Sequence, residues 1–409
     1  MIWFASQNGN STASIQPVLL EIESLRKKLN LNRFLKWCRE LGIGLTPLLE
    51  LPKEVNPYLK DGIRIQVKLE YLNPSGSGKD RPVSFMLYYY NEIGLLSKVK
   101  RITTAGFGNF IKSLSFLLPR IGFNIQLESF MGNALIEENI EFAQFLRKNG
   151  VVIHTCEDGY CPTTNSARGK AVTWAYIEEK ADLSGETLFL DQHGYHKPED
   201  GLLNAAGYYY TLAPEILHQT KEADSLYYVN GEGTRGSLMG TGVGLKTKRS
   251  DVTIIGLTQT EGGHIFGLRS KRQLGKSETL GKAESLCNSV FEISDKEAFE
   301  TMVRLWEVGI PSSPSGGGYV AGALRVAKEL SMKGREGTIV TLIFDSLELY
   351  STILSIWMPK ILKKDFKIYR PLFYDLKDHL IKERMAHTYR VRSRGSLGDK
   401  TLNPSTTKQ

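Results

Sequence analysis

Apolar and polar positions follow two rhythms along this chain. Compact apolar runs rich in β-branched and aromatic residues recur at 63–72 (IRIQVKLEYL), 123–130 (FNIQLESF), 151–156 (VVIHTC), 225–231 (SLYYVNG), 252–259 (VTIIGLTQ) and 337–345 (GTIVTLIFD). They read as strands. Between them lie segments with apolar residues at helical spacing: 81–96 (RPVSFMLYYYNEIGLL), 110–122 (FIKSLSFLLPRIG), 139–150 (NIEFAQFLRKNG), 295–309 (DKEAFETMVRLWEVG) and 319–334 (YVAGALRVAKELSMKG). Strand and helix alternate through short links, which predicts an α/β architecture with largely parallel sheets. Ahead of this pattern, Leu19, Ile22, Leu25 and Leu29 predict an amphipathic helix within 17–41, packed on the body or on a second subunit. Residues 1–16 and those from Arg394 onward are poor in apolar residues and are expected to lack fixed structure.

Composition changes this picture little. The chain is 41% apolar and 23% charged, the balance of a globular protein with a sizeable core, and its 409 residues suit two domains. No run is long and apolar enough to span a bilayer, and the opening residues lack a basic stretch followed by an apolar core. No membrane or export signal is expected, and the cytoplasm is the expected compartment. Cys38, Cys156, Cys161 and Cys287 match no zinc spacing and no disulfide framework. The net charge of +8 resides in residues 360–409, where thirteen Lys/Arg face five Asp/Glu. No nucleic-acid motif accompanies it, so a solvated basic tail is expected rather than a nucleic-acid surface.

Three loops carry candidate chemistry. Lys79 ends a small-residue loop, NPSGSGK, where a helix begins. Positive charge is disfavoured at a helix N-terminus, whereas a desolvated lysine amine is a nucleophile toward carbonyls. Gly231–Gly242 (GEGTRGSLMGTG) follows a strand and can converge backbone N–H groups on an anion, yet fits neither a Walker loop nor a dinucleotide fingerprint. Ser315 leads a Gly-rich turn into an apolar helix. An amine, an anion cradle and small polar loops at strand ends together suit a phosphorylated aldehyde cofactor, pyridoxal 5'-phosphate.

The motifs resemble those of the fold-type II pyridoxal-phosphate enzymes, the tryptophan synthase β superfamily, nearest the cysteine synthase and cystathionine β-synthase branch. IGLTPLLEL is similar to the family's I-G-x-T-P-L opening, and KLEYLNPSGSGKDR to K-x-E-x-x-N-P-x-x-S-x-K-D-R, with Lys79 at the Schiff-base position. GNFIKSLSFLLPRIG sets Asn109 where the family's asparagine meets the cofactor's ring oxygen. GTRGSLMG resembles G-T-G-G-T-x-T-G, which implies Gly233, Thr234, Arg235, Gly236 and Ser237 around the phosphate. Ser315 falls at the pyridine-nitrogen position, and FDSLELY resembles the closing P-D-S-x-E-x-Y.

The resemblance, which runs from about residue 43 to 350, implies two three-layer α/β domains with the cofactor in the cleft between them. The larger comprises 43–72 and 191–350 and the smaller 73–190. Residues 1–42 and 351–409 are extensions. It further implies β-elimination and β-replacement on a serine-derived amino acid through an α-aminoacrylate, with a sulfur or nitrogen nucleophile and Lys79 as base. A 2,3-diaminopropionate synthase-like specialisation fits this frame, as does a homodimer. Thr104, Gly108 and Gln192 are implied substrate contacts. Alternatives are a dehydratase, a threonine-synthase-like lyase, or a cofactor-binding protein that acts through partners.

Departures from the family pattern bear on the substrate. Phe107 and Phe110 stand where the family's T-S-G-N-T loop has hydroxyls, and the stretch near 278–285 (ETLGKAES) differs from its G-I-G segment. Arg235 replaces a glycine and would bring charge beside the cofactor or substrate; with the lost hydroxyls this favours an anionic serine derivative such as O-phosphoserine, or a bulkier amino acid, over O-acetylserine. His193 and His196 have metal-ligand spacing, but two ligands are too few, and the segment carrying them reads as a solvent loop.

Overall fold

The computed structural model describes residues 11–106, 108–156, 185–274 and 282–396. Phe107 and Cys161 lie outside these residues, as do 278–281 of the altered stretch. Two sheets organise the described chain. The first has six strands in the order β1-β2-β10-β7-β8-β9, namely Leu48–Glu50 (β1), Ile63–Leu69 (β2), Gly337–Ile343 (β10), Leu226–Gly231 (β7), Thr253–Gln259 (β8) and Ser289–Ile293 (β9). The second has four, in the order β5-β4-β3-β6: Val151–Cys156, Gln126–Gly132, Arg101–Ala105 and Thr187–Leu190. All neighbours pair in parallel except β1, which runs antiparallel to β2.

The central strands are continuous apolar runs because helices cover both faces of a parallel sheet. Ile63, Ile65, Ile254, Ile255, Ile339 and Val340 are all fully buried. The strands anticipated from sequence are present. Four others, β1, β3, β6 and β9, are only three to five residues long, too short to show a period in the sequence. The Gly-rich helix Gly236–Lys248 packs flat on Pro198–Gln219 because its glycines admit the neighbouring backbone: a Cβ at Gly240 would lie 1.9 Å from the Ala205 carbonyl oxygen.

The single amphipathic helix expected within 17–41 is two helices, Ser11–Lys28 and Leu31–Leu41. The break falls at Asn30, whose side chain accepts a hydrogen bond from the Arg33 N–H at 3.0 Å and so caps the second helix. The first helix begins at Ser11, inside the stretch expected to lack structure. Ile22 and Phe34, one from each helix, are fully buried in the chain's own core. The basic C-terminal region also departs from expectation. It forms the helices Ser351–Leu362 and Arg370–Ser396, the latter anchored by Arg384, which donates to the Tyr71 carbonyl at 3.0 Å and to Glu348 at 2.8 Å. Among the described residues no helix is long and apolar enough to cross a membrane.

Beneath the Lys79 loop lies a buried ionic cluster. Arg81 reaches Glu70 at 2.6 Å and Glu215 at 2.8 Å, and Lys68 reaches Glu215 at 2.7 Å. The Thr46 hydroxyl donates to Glu70 at 2.7 Å. Burial alone would raise the Glu215 carboxyl, but Arg81 and Lys68 outweigh it and hold the group at about 2. Thr46 of IGLTPL, Lys68 and Glu70 of KLEYL and Arg81 thus form one structural unit that ties β2 to the start of the helix Asp80–Glu92 and to Pro198–Gln219.

Candidate active site

A cavity of about 350 Å³ opens where the loops after the C-terminal ends of strands from both sheets converge. This is the usual place for a ligand in parallel α/β folds. β2 leads to Lys79, β7 to Gly233 and Thr234, β10 to Phe344 and Asp345, β3 to Gly108 and Asn109, and β6 to Gln192 and His193.

The Lys79 loop is held from several sides. Asn73 accepts from the Gly44 N–H at 2.9 Å, Ser75 N–H donates to Asp80 at 2.8 Å, and Gly78 N–H donates to the Phe344 carbonyl at 2.9 Å. Gly76 sits at φ +85°, where a Cβ would also meet the Arg384 guanidinium at 2.7 Å, so only glycine suits the turn. The outcome is an amine largely withdrawn from solvent with no carboxylate partner among the described residues. Lys79 Nζ donates to the Thr234 hydroxyl at 3.2 Å and lies 5.6 Å from the centre of the Phe344 ring. Burial first, and the Arg269 charge second, lower its pKa to about 7, so a large fraction is neutral and nucleophilic near neutrality.

Opposite Lys79 lies the turn that opens the helix Gly236–Lys248. Thr234 also accepts from Asn204 Nδ2 at 3.3 Å, and Ser237 accepts from Asn230 Nδ2 at 3.1 Å. A Cβ at Gly233 would come within 2.4 Å of the Gly267 carbonyl oxygen, so the loop approaches its neighbour too closely for any other residue. The first N–H groups of the helix have no intrahelical acceptor, which makes its start an anion site.

A third wall centres on Asp345. One carboxylate oxygen accepts from Asn109 Nδ2 and from the Tyr350 hydroxyl, each at 2.7 Å. The other accepts from Ser313 and, at 3.3 Å, from Ser315. Asp345 therefore fixes both Asn109 and Ser315, which come from different sheets.

Of the residues singled out from sequence, Lys79, Gly108, Asn109, Gln192, Gly233, Thr234, Ser237 and Ser315 line the cavity. Thr104, Arg235 and Gly236 do not. The Thr104 hydroxyl donates to the Leu190 carbonyl at 3.0 Å, inside the β3–β6 ladder. Gly236 is packed beneath Asn204, 2.3 Å from where its Cβ would stand. Arg235 turns away and donates to Glu232 at 2.9 Å in a buried ion pair. The charge expected of Arg235 falls instead on Arg269, which sequence reasoning missed. The reading of His193 and His196 as part of a solvent loop also changes. Asp191 accepts from the N–H groups of His193, His196 and Lys197 and folds the stretch into a tight turn. That turn buries His193 in the cavity wall and leaves His196 exposed. No metal cluster occurs among the described residues.

These walls suit a planar phosphorylated aldehyde. A largely desolvated amine faces a helix start with two hydroxyls, and Asn109 and Ser315 present side-chain polar groups on the remaining wall.

Comparison with known proteins identifies the family. The family of pyridoxal-phosphate dependent enzymes matches residues 39–345, and the chain belongs to that family, with pyridoxal phosphate as its cofactor. Within it the chain is cysteine synthase-like. It is 32% identical to cysteine synthase B of Salmonella typhimurium over 294 residues, covering 71% of this chain and 87% of that protein. It is 31% identical to cysteine synthase B of Escherichia coli over 296 residues, with the same coverages. Among solved structures, a hydrogen sulfide-producing enzyme from Fusobacterium nucleatum aligns at a TM-score of 0.63 and 25% identity, over 76% of this chain and 96% of that one. An O-acetylserine dependent cystathionine beta-synthase from Helicobacter pylori shares the fold at a TM-score of 0.63 and 22% identity, over 77% of this chain and 96% of that one.

Proposed function

We propose that the chain catalyses β-replacement on a serine-derived amino acid, with a sulfur or nitrogen nucleophile. One observation carries this reading: the Lys79 amine is largely withdrawn from solvent, has no carboxylate partner among the described residues and is lowered to about 7, and it faces the Thr234 turn across the cavity. Bound pyridoxal phosphate supplies an electron-withdrawing ring that accepts the charge developing at the substrate's Cα. Lys79 would hold the cofactor through its aldehyde and, once free, would take the substrate's Cα proton as general base. Thr234, Ser237 and the start of the helix Gly236–Lys248 would receive the phosphate, and Asn109 and Ser315, both braced by Asp345, would meet the polar edge of the ring.

The substrate's carboxylate is assigned to the N-terminus of the helix Asn109–Arg120, where Gly108 and Asn109 begin a turn with unsatisfied N–H groups, and to Gln192 beside it. Phe110 is buried under this turn, so backbone donors take over from the hydroxyls that its phenyl ring replaces.

The test is spectroscopic. Purified holoprotein is mixed with serine, O-acetylserine, O-phosphoserine and threonine, and the visible band of the lysine-bound cofactor is followed before and after sulfide or ammonia is added. Loss of the band with a β-substituted serine, and its return with the nucleophile, is the expected result. A band that responds to none of them would leave a cofactor-binding protein without this activity.

A further inference from the structure

The loop that carries Lys79 has almost no side-chain mass of its own. Residues 74–78 are Pro-Ser-Gly-Ser-Gly, none large enough to lock the loop by packing. Its main chain leans on the turn after the strand Gly337–Ile343: Gly78 N–H donates to the Phe344 carbonyl at 2.9 Å, and Ser77 forms an isolated antiparallel bridge with Asp345. Lys79 and the Asp345 wall are thus joined through two short, adjacent loops.

A side chain from outside the family segment, which ends at residue 345, lies across both loops. Arg384 stands in the middle of the helix Arg370–Ser396. Its Nε donates to the Tyr71 carbonyl at 3.0 Å, just before the Lys79 loop. Its Nη1 donates to Glu348 at 2.8 Å and its Nη2 to the Ser346 hydroxyl at 3.4 Å, just after Asp345. The guanidinium rests on Gly76, where a Cβ would lie 2.7 Å from Nη2 and 2.8 Å from Cζ. Its side chain is only 12% exposed. A planar fork can donate to two loops at once, whereas a lysine ammonium is a single point.

The surroundings make this a built contact. Burial alone would raise the Glu348 carboxyl, but Lys112 and Arg384 lower it, so Arg384 meets a charged partner. Lys112 comes from the helix Asn109–Arg120 and lies 3.9 Å from Glu348. Near Arg384 on its own helix, His387 Nε2 donates to the Gly44 carbonyl at 3.1 Å, and the Gly44 N–H donates to Asn73, which opens the Lys79 loop, at 2.9 Å. Apolar packing would suffice to dock a helix here. It does not account for a charged side chain that commits all three nitrogens to the loops of the site.

We propose that Arg384 is a positioning residue for Lys79: through this guanidinium the C-terminal helix sets the place of the amine relative to the Asp345 wall. Arg384 does not line the cavity, so it acts through the loops it holds. The proposal rests on Lys79 as the group that holds pyridoxal phosphate and not on the β-replacement reading.

The experiment uses full-length wild type, Arg384→Lys, Arg384→Ala and a packing control, Leu380→Ala, which removes a buried apolar side chain from the same helix and none of these hydrogen bonds. No amino-acid substrate enters it. Cofactor-free protein is mixed with pyridoxal 5'-phosphate, and the rate at which the visible band of the lysine-bound cofactor forms is measured. Affinity for 4'-deoxypyridoxine 5'-phosphate, which has the ring and phosphate but no aldehyde, reports on the rest of the site. Arg384→Ala is expected to slow band formation by about 10- to 100-fold, the range for a misplaced reacting group, while affinity for the aldehyde-free analogue stays near that of wild type. Arg384→Lys should fall between the two, and Leu380→Ala should form the band at the wild-type rate. Wild-type rates in both Arg384 variants overturn the proposal. Equal slowing in Leu380→Ala overturns it in favour of helix packing, and a loss of analogue affinity in step with the rate overturns it in favour of a general loosening of the site. If Arg384→Ala does not fold, Arg384→Lys decides: slower band formation with analogue affinity kept supports the proposal, and a wild-type rate overturns it. A wild type that forms no band takes down the role of Lys79 and this proposal with it, whereas a normal band in the Arg384 variants takes down this proposal alone.

Discussion

Lys79 shows how much chemistry one position can acquire from its surroundings. A lysine on an exposed helix stays protonated to about pH 10, whereas here burial and Arg269 bring the amine to about 7. Only the neutral amine attacks a carbonyl. The rate at which cofactor-free protein takes up pyridoxal phosphate should therefore rise with pH up to about 7 and level off above it, as stopped-flow absorbance would record. A rise continuing toward pH 10 would mean that the amine is solvated. Asp345 invites a second test at this scale. Asp345→Asn turns one carboxylate oxygen into an N–H donor, so either Asn109 and Tyr350 or Ser313 and Ser315 lose their acceptor, and cofactor affinity should fall by about tenfold or more, as measured by fluorescence titration. Unchanged affinity together with an unshifted visible band would show that these residues do not depend on Asp345.

At the scale of elements, local motifs were legible and assembled ones were not. Lys79, Gly233, Thr234 and Ser315 lie on continuous loops whose small residues and flanking strand or helix identify them. Arg269, His193 and Tyr195 come from loops after different strands and meet only once the two sheets face each other. Arg235 misled because a cation beside a Gly-rich turn points at a ligand in sequence, while Glu232, three residues earlier, claims it in three dimensions. The ionic cluster beneath the Lys79 loop is another assembled feature. Glu215→Gln should destabilise the fold by about 3–5 kcal/mol, because it leaves Arg81 and Lys68 short of buried countercharge; urea unfolding measures it. Since the Glu215 carboxyl is held below its ordinary value, its contribution is complete above about pH 4.5 and is lost as pH falls toward 2. Wild type and Glu215→Gln should accordingly converge in stability on acidification.

At the scale of the molecule, the largely parallel sheets follow from apolar runs that alternate with amphipathic segments, whereas the strand order appears only in the structure. The extensions were harder to read because their helices draw stability from tertiary contact, which composition does not report. Ile22 is buried to the same degree as the central strands, so Ile22→Ala should cost about 2–5 kcal/mol. A cost near zero would mean that the N-terminal helix is detached in solution. A homodimer remains a proposal, read by sedimentation as a species of twice the 45.9 kDa chain mass. The central claim joins all three scales: two sheets bring a largely desolvated amine to an anion-binding helix start so that Lys79 can hold pyridoxal phosphate. The most direct measurement is the absorbance spectrum of the purified protein and of Lys79→Ala, each after reconstitution with pyridoxal phosphate and removal of the excess. The wild type should show the visible band of a lysine-bound cofactor, and Lys79→Ala should lack it while keeping its far-ultraviolet circular dichroism. A colourless wild type, or a variant with the same band, would contradict the account.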